Sequence, residues 1–480
     1  MSITATATAQ LFIAGAWQEG TLSPTTLTDK YDNSPIATVA TASKAQVSDA
    51  IGHALASWQK TPLQQAERAQ ILDRAAELVR RDATHLIATV MADTGFAIAD
   101  ATKEVERSID TFKLCAEEAR RLGGEMVPLA GVPGNHERIA FTRRHPLGVV
   151  VAITPFNSPL NTVVHKVGPA IAAGNAVVLK PATQTPLSAA ALVGILLEAG
   201  LPSGLITLLY GSGGSVGQWL AEDPRPAFYA FTGSTRVGQL LHATVGMRPI
   251  QLEMGSLAST IICADADLAR AATLAANAAF RKSGQVCTSV QRLYVHRDVQ
   301  SEVAQRITER VASLPWGDPR NAATIVGPLV SPPEAERVEL WINKAANSGA
   351  AILSGGTRHG NVIAPTVIAD APDSSLVFSK EIFGPVVVLR PFDELAEAIS
   401  GANDTPYGLA AGIFTRDIDS ALTAAEQLRF GSVHINETSS SRVDLMPFSG
   451  IKASGFGGAE GPKYAVRDMS EERLITLSRA

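Results

Sequence analysis

Between residues 149 and 253 the chain alternates short apolar runs with stretches of helical spacing. The runs are Val149–Ile153, Val177–Leu179, Leu205–Tyr210, Phe228–Phe231 and Ile250–Leu252, and the helical stretches cover roughly 160–173, 186–199, 213–222 and 234–243. A strand that is apolar at every position must be covered on both faces. The alternation therefore predicts an α/β fold with a doubly wound parallel sheet. Ligands of such sheets bind at the carboxyl ends of the strands. Here those ends carry Thr154–Pro155, Lys180–Pro181, Gly211, Thr232–Gly233 and Glu253.

The remaining chain supports more than this one sheet. Its 480 residues suggest two to four domains at roughly 100–200 residues each. Residues 1–45 read as short strands and turns, with a hairpin at Gly15–Ala16–Trp17. Residues 45–122 read as helical and end at Gly123–Gly124. Arg138–Arg144 alternates charged and apolar residues, as a two-faced strand does. A second alternating segment runs from about Ser256 to Phe448. The tail from Gly461 begins as a helix and ends in Arg473–Leu477, which could pair with another strand.

With 46% hydrophobic and 18% charged residues the chain is globular. A net charge of −5 and no basic block argue against nucleic acid as a partner. Cys115, Cys263 and Cys287 are odd in number and far apart, which fits a reducing, cytoplasmic setting. No cysteine or histidine cluster suggests a metal. The N-terminus lacks the pattern of a secretory signal, and no apolar run approaches the roughly 18 residues of a membrane span, so no membrane partner is expected.

The most reactive stretch is Ser283–Gly284–Gln285–Val286–Cys287–Thr288–Ser289. A cysteine thiolate can attack a carbonyl, yet most free cysteines are buried and inert. Glu253 at a strand end could be a salt-bridged carboxylate or a general base with a raised pKa. Asn157 could be a turn asparagine or an amide donor to an oxyanion. Lys180 could be a solvated lysine or a contact to ribose or phosphate. Gly233–Gly238 follows a strand and opens a helix, as phosphate sites do, but it is not Gly-x-Gly-x-x-Gly. Glu381 and Phe383 precede a glycine and could form an ordinary turn or hold a ribose and a flat ring.

Together the motifs Pro155–Phe156–Asn157, Gly174–Asn175, Lys180–Pro181–Ala182, Phe231–Ser234, Glu253–Met254–Gly255, Gly284–Cys287, Glu381–Val386 and Pro447–Lys452 resemble the aldehyde dehydrogenase superfamily in order and spacing. Their wording is similar to the branch holding lactaldehyde, phosphonoacetaldehyde and non-phosphorylating glyceraldehyde-3-phosphate dehydrogenases. The resemblance implies a cofactor domain of residues 1–124 and 146–252, a catalytic domain of 253–448, and a β-strand oligomerisation region of 125–145 and 449–480 that makes a homodimer or homotetramer.

The resemblance also implies site roles. Cys287 is the nucleophile that forms a thiohemiacetal and then, after hydride transfer, a thioester. Asn157 with the Cys287 N–H is the oxyanion hole, and Glu253 activates the hydrolytic water. NAD or NADP is expected against Ile153, Thr154, Phe156, Lys180, Thr183, Gly211, Gly217, Phe231, Gly233, Ser234, Val237, Met254, Gly255, Glu381 and Phe383.

Two departures from the family pattern are Met254–Gly255–Ser256 after the base, where Leu-Gly-Gly is common, and Thr183, where NAD-preferring members often place a glutamate. A threonine would not repel a 2′-phosphate. The substrate is expected against Arg107, Ser158, Val286, Thr288, Arg442 and Phe448. Arg107 and Arg442 are either grips for an anionic group or structural ion-pair arginines. Val286 stands where some phosphate-using relatives have arginine, so the expectation is a short aldehyde, hydroxylated or carboxylated, without a strong anion. Transfer of the thioester to coenzyme A, a catalytically idle binding protein and a cysteine hydrolase are the competing readings.

Overall fold

The computed structural model describes residues 7–478. Its first sheet has eight strands in the order Gly455–Gly457, Ile250–Glu253, Phe228–Thr232, Val149–Ile153, Ala176–Lys180, Ile206–Leu208, Leu11–Ile13, Ala16–Gln18. The five central strands are the predicted apolar runs, and they pair in parallel. Val149 through Ala152 and Ala176 through Lys180 are buried throughout, as strands covered on both faces must be. The predicted helices lie between the strands, at Asn161–Ala173, Leu187–Glu198, Gly213–Glu222 (whose first turn is a π-helix) and Thr235–Val245. The expected hairpin is present too: Leu11–Ile13 pairs antiparallel with Ala16–Gln18 across Ala14 and Gly15, both at positive φ.

Strand order reverses at Val149–Ile153, whose neighbours are the next strand in sequence on one side and the fourth on the other. Such a switch point opens a crevice at the carboxyl edge. Register sets what lines it. Lys180 pairs with Ile153, Ile153 with Phe231, and Thr232 with Glu253, so the polar strand ends stand side by side.

Residues 44–121 form four helices, Lys44–Lys60, Gln65–Arg81, Ala83–Thr94 and Ile98–Arg121, packed into the same core as the first sheet. The second sheet has seven strands, centred on Thr366–Ala369, Val386–Phe392, Arg292–His296, Ser259–Ile262 and Ala410–Phe414, all parallel. Its side chains divide by the strand period of two. Ile261, Val386, Val388 and Ile413 enter one core, while Ile262, Val387, Leu389 and Phe414 enter the other.

The alternating segment forms the strand Arg138–Pro146, and it pairs antiparallel with the tail strand Ser470–Ser478. Among the described residues no helix is long and apolar enough to cross a membrane. None of their His, Cys, Asp and Glu side chains form a group able to hold a metal ion.

Candidate active site

Three left-handed residues in a row deliver the cysteine. The helix Leu268–Phe280 ends, and Lys282, Ser283 and Gly284 follow with φ of 49°, 56° and 69°. Non-glycine residues avoid this region, and they hold it only where surroundings over-determine it. Here they do. The Lys282 ammonium donates to Glu104 and, at 2.9 Å, to Asn157 O, while its backbone N–H donates to Asp100 Oδ2 at 2.8 Å. Ser283 Oγ donates to Gly327 O at 2.9 Å, and Gln285 Oε1 accepts from Val330 N at 2.9 Å.

Gly284 has no room for a side chain, since a Cβ would lie 2.1 Å from Gly384 O. Gly284→Ala is therefore expected to cost about 3 kcal/mol through overpacking and strain. A urea midpoint equal to that of the parent protein would contradict this.

The loop brings Cys287 into a cleft of about 680 Å³ that Asn157 and Glu253 also line. Asn157 Nδ2 donates one hydrogen to Gln285 O at 2.8 Å, which orients the amide and leaves its second hydrogen for a ligand. The Cys287 N–H donates to no backbone acceptor among the described residues. Glu253 is buried at the end of its strand, and its Oε1 has no hydrogen-bond partner among the described residues. Burial, then the nearby Glu460 carboxylate, push its pKa up to about 7. Burial and the Glu253 charge push the Cys287 thiol well above its ordinary value, so the thiol is protonated at rest.

At the other end of the cleft Lys180 is buried, donates only to Pro181 O at 3.3 Å, and has no carboxylate partner among the described residues. Burial draws its pKa down to about 8. An uncompensated buried cation suits an anionic or multiply hydroxylated ligand. Ser234 caps the helix Thr235–Val245, whose N-terminal N–H groups can take phosphate. Glu381, pushed up to about 7 by burial, accepts from Ser256 N at 2.9 Å. Phe383 holds a strained φ of 48° with its ring edge-on to Phe156 at 5.6 Å. These residues fit a dinucleotide laid along the strand ends.

All the residues assigned from sequence line this cleft except Gly211 and Gly217. Gly211 instead accepts from Thr183 Oγ1 at 3.4 Å, and Gly217 backs the Lys180 stem. Arg107 lines the cleft but is held bidentate by Asp444, at 3.0 and 2.6 Å, so its guanidinium is already paired.

Sequence reasoning missed Arg281, Ser440, His165, Lys166 and Asp444. Arg281 lies six residues before Cys287, leaves the helix at a ψ of 145° and lines the cleft. Its only side-chain hydrogen bond goes to Ser440 Oγ at 2.7 Å, and it forms no ion pair among the described residues. A cation thus lines the cleft although residue 286 is a valine.

The chain is similar to known proteins over nearly its whole length. The sequence model described as aldehyde dehydrogenase family matches residues 17–475. A 3-sulfolactaldehyde dehydrogenase from Priestia aryabhattai is 42% identical over 468 residues, which is 98% of each chain. Among solved structures, aldehyde dehydrogenase 21 from Physcomitrella patens, in complex with the reaction product succinate, superposes with a TM-score of 0.95 at 35% identity, covering 99% of both chains. The NADP-dependent glyceraldehyde-3-phosphate dehydrogenase from Bacillus halodurans, complexed with NADP, gives a TM-score of 0.95 at 34% identity, covering 99% of this chain and all of its own. A family match over residues 17–475, with relatives similar from end to end, shows that this chain belongs to the aldehyde dehydrogenase family and is an oxidoreductase that acts on aldehydes with NAD or NADP.

Proposed function

We propose that this protein oxidises a short aldehyde bearing an anionic group at its far end, to the corresponding carboxylic acid. The observation that carries the reading is Arg281: a half-buried guanidinium in the cleft, oriented by Ser440, near Asp100 but in salt-bridge contact with no carboxylate among the described residues. Arginine's planar fork matches sulfonate and carboxylate oxygens. Thr288, whose Oγ1 lies 3.1 Å from Ser440 Oγ, and Arg442 line the same cleft. The sulfonate of the Priestia enzyme's substrate and the carboxylates of succinate have the chemistry this cleft would accept.

The chain's own groups divide the work. Asn157 and the Cys287 N–H hold the aldehyde oxygen as it becomes an oxyanion. Glu253, a base near neutrality, takes the thiol proton as Cys287 adds to the carbonyl, releases it to solvent, and then takes a proton from the water that cleaves the thioester. Bound NAD(P) supplies the hydride acceptor. Lys180 and Thr183 would hold its adenosine ribose, the Ser234 turn its pyrophosphate, and Glu381 and Phe383 the nicotinamide side. Lys180 without an acid beside it suits a 2′-phosphate, so NADP is used as well as NAD.

The division at Glu253 between a cofactor domain and a catalytic domain sets the base at their junction. The strands Arg138–Pro146 and Ser470–Ser478, which leave Ile139, Leu474 and Leu477 exposed, would join copies into a dimer or tetramer.

The test is steady-state kinetics of Arg281→Met with succinate semialdehyde and with propanal, under both cofactors. KM for the anionic aldehyde is expected to rise roughly 10- to 100-fold, the worth of a charge-assisted contact. KM for propanal is expected to stay within a factor of about three. Equal changes for the two aldehydes would overturn the reading.

A further inference from the structure

Glu253 shares its buried surroundings with a second carboxylate. Glu460 Oε1 accepts from Lys166 Nζ at 2.8 Å and from Thr232 Oγ1 at 3.0 Å, and its Oε2 accepts from Arg442 Nη2 at 3.0 Å. Thr232 is the register partner of Glu253 on the adjacent strand, so the two carboxylates flank one position of the sheet edge. Lys166 and Glu460 are both almost completely sealed from solvent. The backbone fixes the arrangement. Phe448 and Glu460 exchange N–H···O bonds at 3.0 and 2.8 Å, and the Arg442 guanidinium lies 3.8 Å over the Phe448 ring.

Charge balance in this group is narrow. Glu253 and Glu460 are opposed by Lys166 and Arg442. The other charged neighbours are Asp444, which pairs with Arg107 and His165; His165, which also faces Glu460; and Glu381 and Arg281, which act on Cys287. Lys166 is sealed and committed to Glu460. Arg442 alone stands both in this group and at the anion-binding end of the cleft, and only its Nη2 is taken; its Nε is buried without a partner.

We propose that Arg442 couples recognition of the substrate's anionic end to the proton chemistry of Glu253 and Cys287. An anion that takes the guanidinium neutralises the cation that balanced the two carboxylates, and the group is left with an excess negative charge. Glu253, the carboxylate without a hydrogen-bonded cation, then holds a proton more tightly and becomes the stronger base once substrate is seated. Arg442 also favours the charged forms of Glu253 and Cys287 in the free protein, consistent with this direction. The inference rests on the anionic-substrate reading for its physiological sense, but the electrostatic link can be tested without it.

The experiment is the pH dependence of kcat with propanal and with succinate semialdehyde, in the parent protein and in Arg442→Gln and Arg442→Lys. With propanal, Arg442→Gln is expected to move the midpoint of the rising limb up by roughly one pH unit, the effect of losing a nearby opposite charge. Arg442→Lys keeps that midpoint while KM for succinate semialdehyde rises, because lysine retains the charge and loses the fork. In the parent protein the midpoint lies higher with succinate semialdehyde than with propanal, and in Arg442→Gln the two coincide. A parental midpoint for Arg442→Gln with propanal would overturn the coupling. Equal KM values for the two aldehydes in the parent protein would instead defeat the anionic-substrate reading and leave the propanal result to decide the coupling. Should the glutamine variant not fold, the parental difference between the two aldehydes decides it: its absence refutes the proposal.

Discussion

Cys287→Ser is expected to lower NAD(P)H production by about 10⁴-fold or more, the scale of loss seen when a nucleophile is removed. Cofactor binding, followed by fluorescence titration, should stay within a factor of about two. The separation follows from the geometry. Lys180, Ser234 and Glu381 lie along the strand ends, whereas the sulfur sits on a loop whose shape is held by Lys282, Ser283 and Gln285 rather than by residue 287. Serine is also a poorer nucleophile with a far higher pKa, and Glu253 at about 7 is too weak a base to compensate. A serine variant with more than about a tenth of parental turnover would remove Cys287 from the chemistry. A variant that also lost cofactor binding would show instead that the loop had collapsed.

Glu253→Gln should behave differently. The thioester can still form once the thiol loses its proton to solvent, but no base remains to activate water. A burst of NAD(P)H, near one equivalent per site, is expected before a steady state slowed by roughly 10²- to 10⁴-fold, the usual worth of a general base. Stopped-flow absorbance reads both phases, and a steady state without loss would contradict the role.

The same carboxylate sets a pH dependence. Burial and Glu460 raise its pKa, and only the ionised form can accept a proton. Turnover in the parent protein should therefore rise as pH increases through about 7. For stability the sign is opposite. A carboxyl whose folded pKa lies above its unfolded value favours folding when protonated, so this contribution is present at low pH and is lost as pH climbs from the ordinary carboxylate range through about 7. A pH at which activity rises while stability falls is what a strained catalytic carboxylate produces.

Arg442 is paired with Glu460, stacked on Phe448 and lines the cleft. Removing it changes affinity and local charge together, and the lysine variant is what separates the two.

The parallel sheet, its helices and the carboxyl-end crevice were legible in the residues themselves, because continuous apolar runs such as Val149–Ile153 have one stable environment, a strand covered on both faces. The candidate nucleophile, base and oxyanion donor were legible as motifs, each ambiguous alone. The fates of the arginines were not. Arg107, Arg281 and Arg442 differ in which carboxylate comes within reach, and Asp444 and Glu460 lie 337 and 18 residues from their partners in the chain. Helical and strand periods act over a few residues, whereas an ion pair across such distances exists only when the two sheets, the substrate loop and the tail have docked. Local periodicity could therefore announce the fold, and the motifs the candidate reacting groups. Tertiary packing decided which arginine is left without an ion pair among the described residues, because that depends on desolvation and charge balance at a point where distant segments meet.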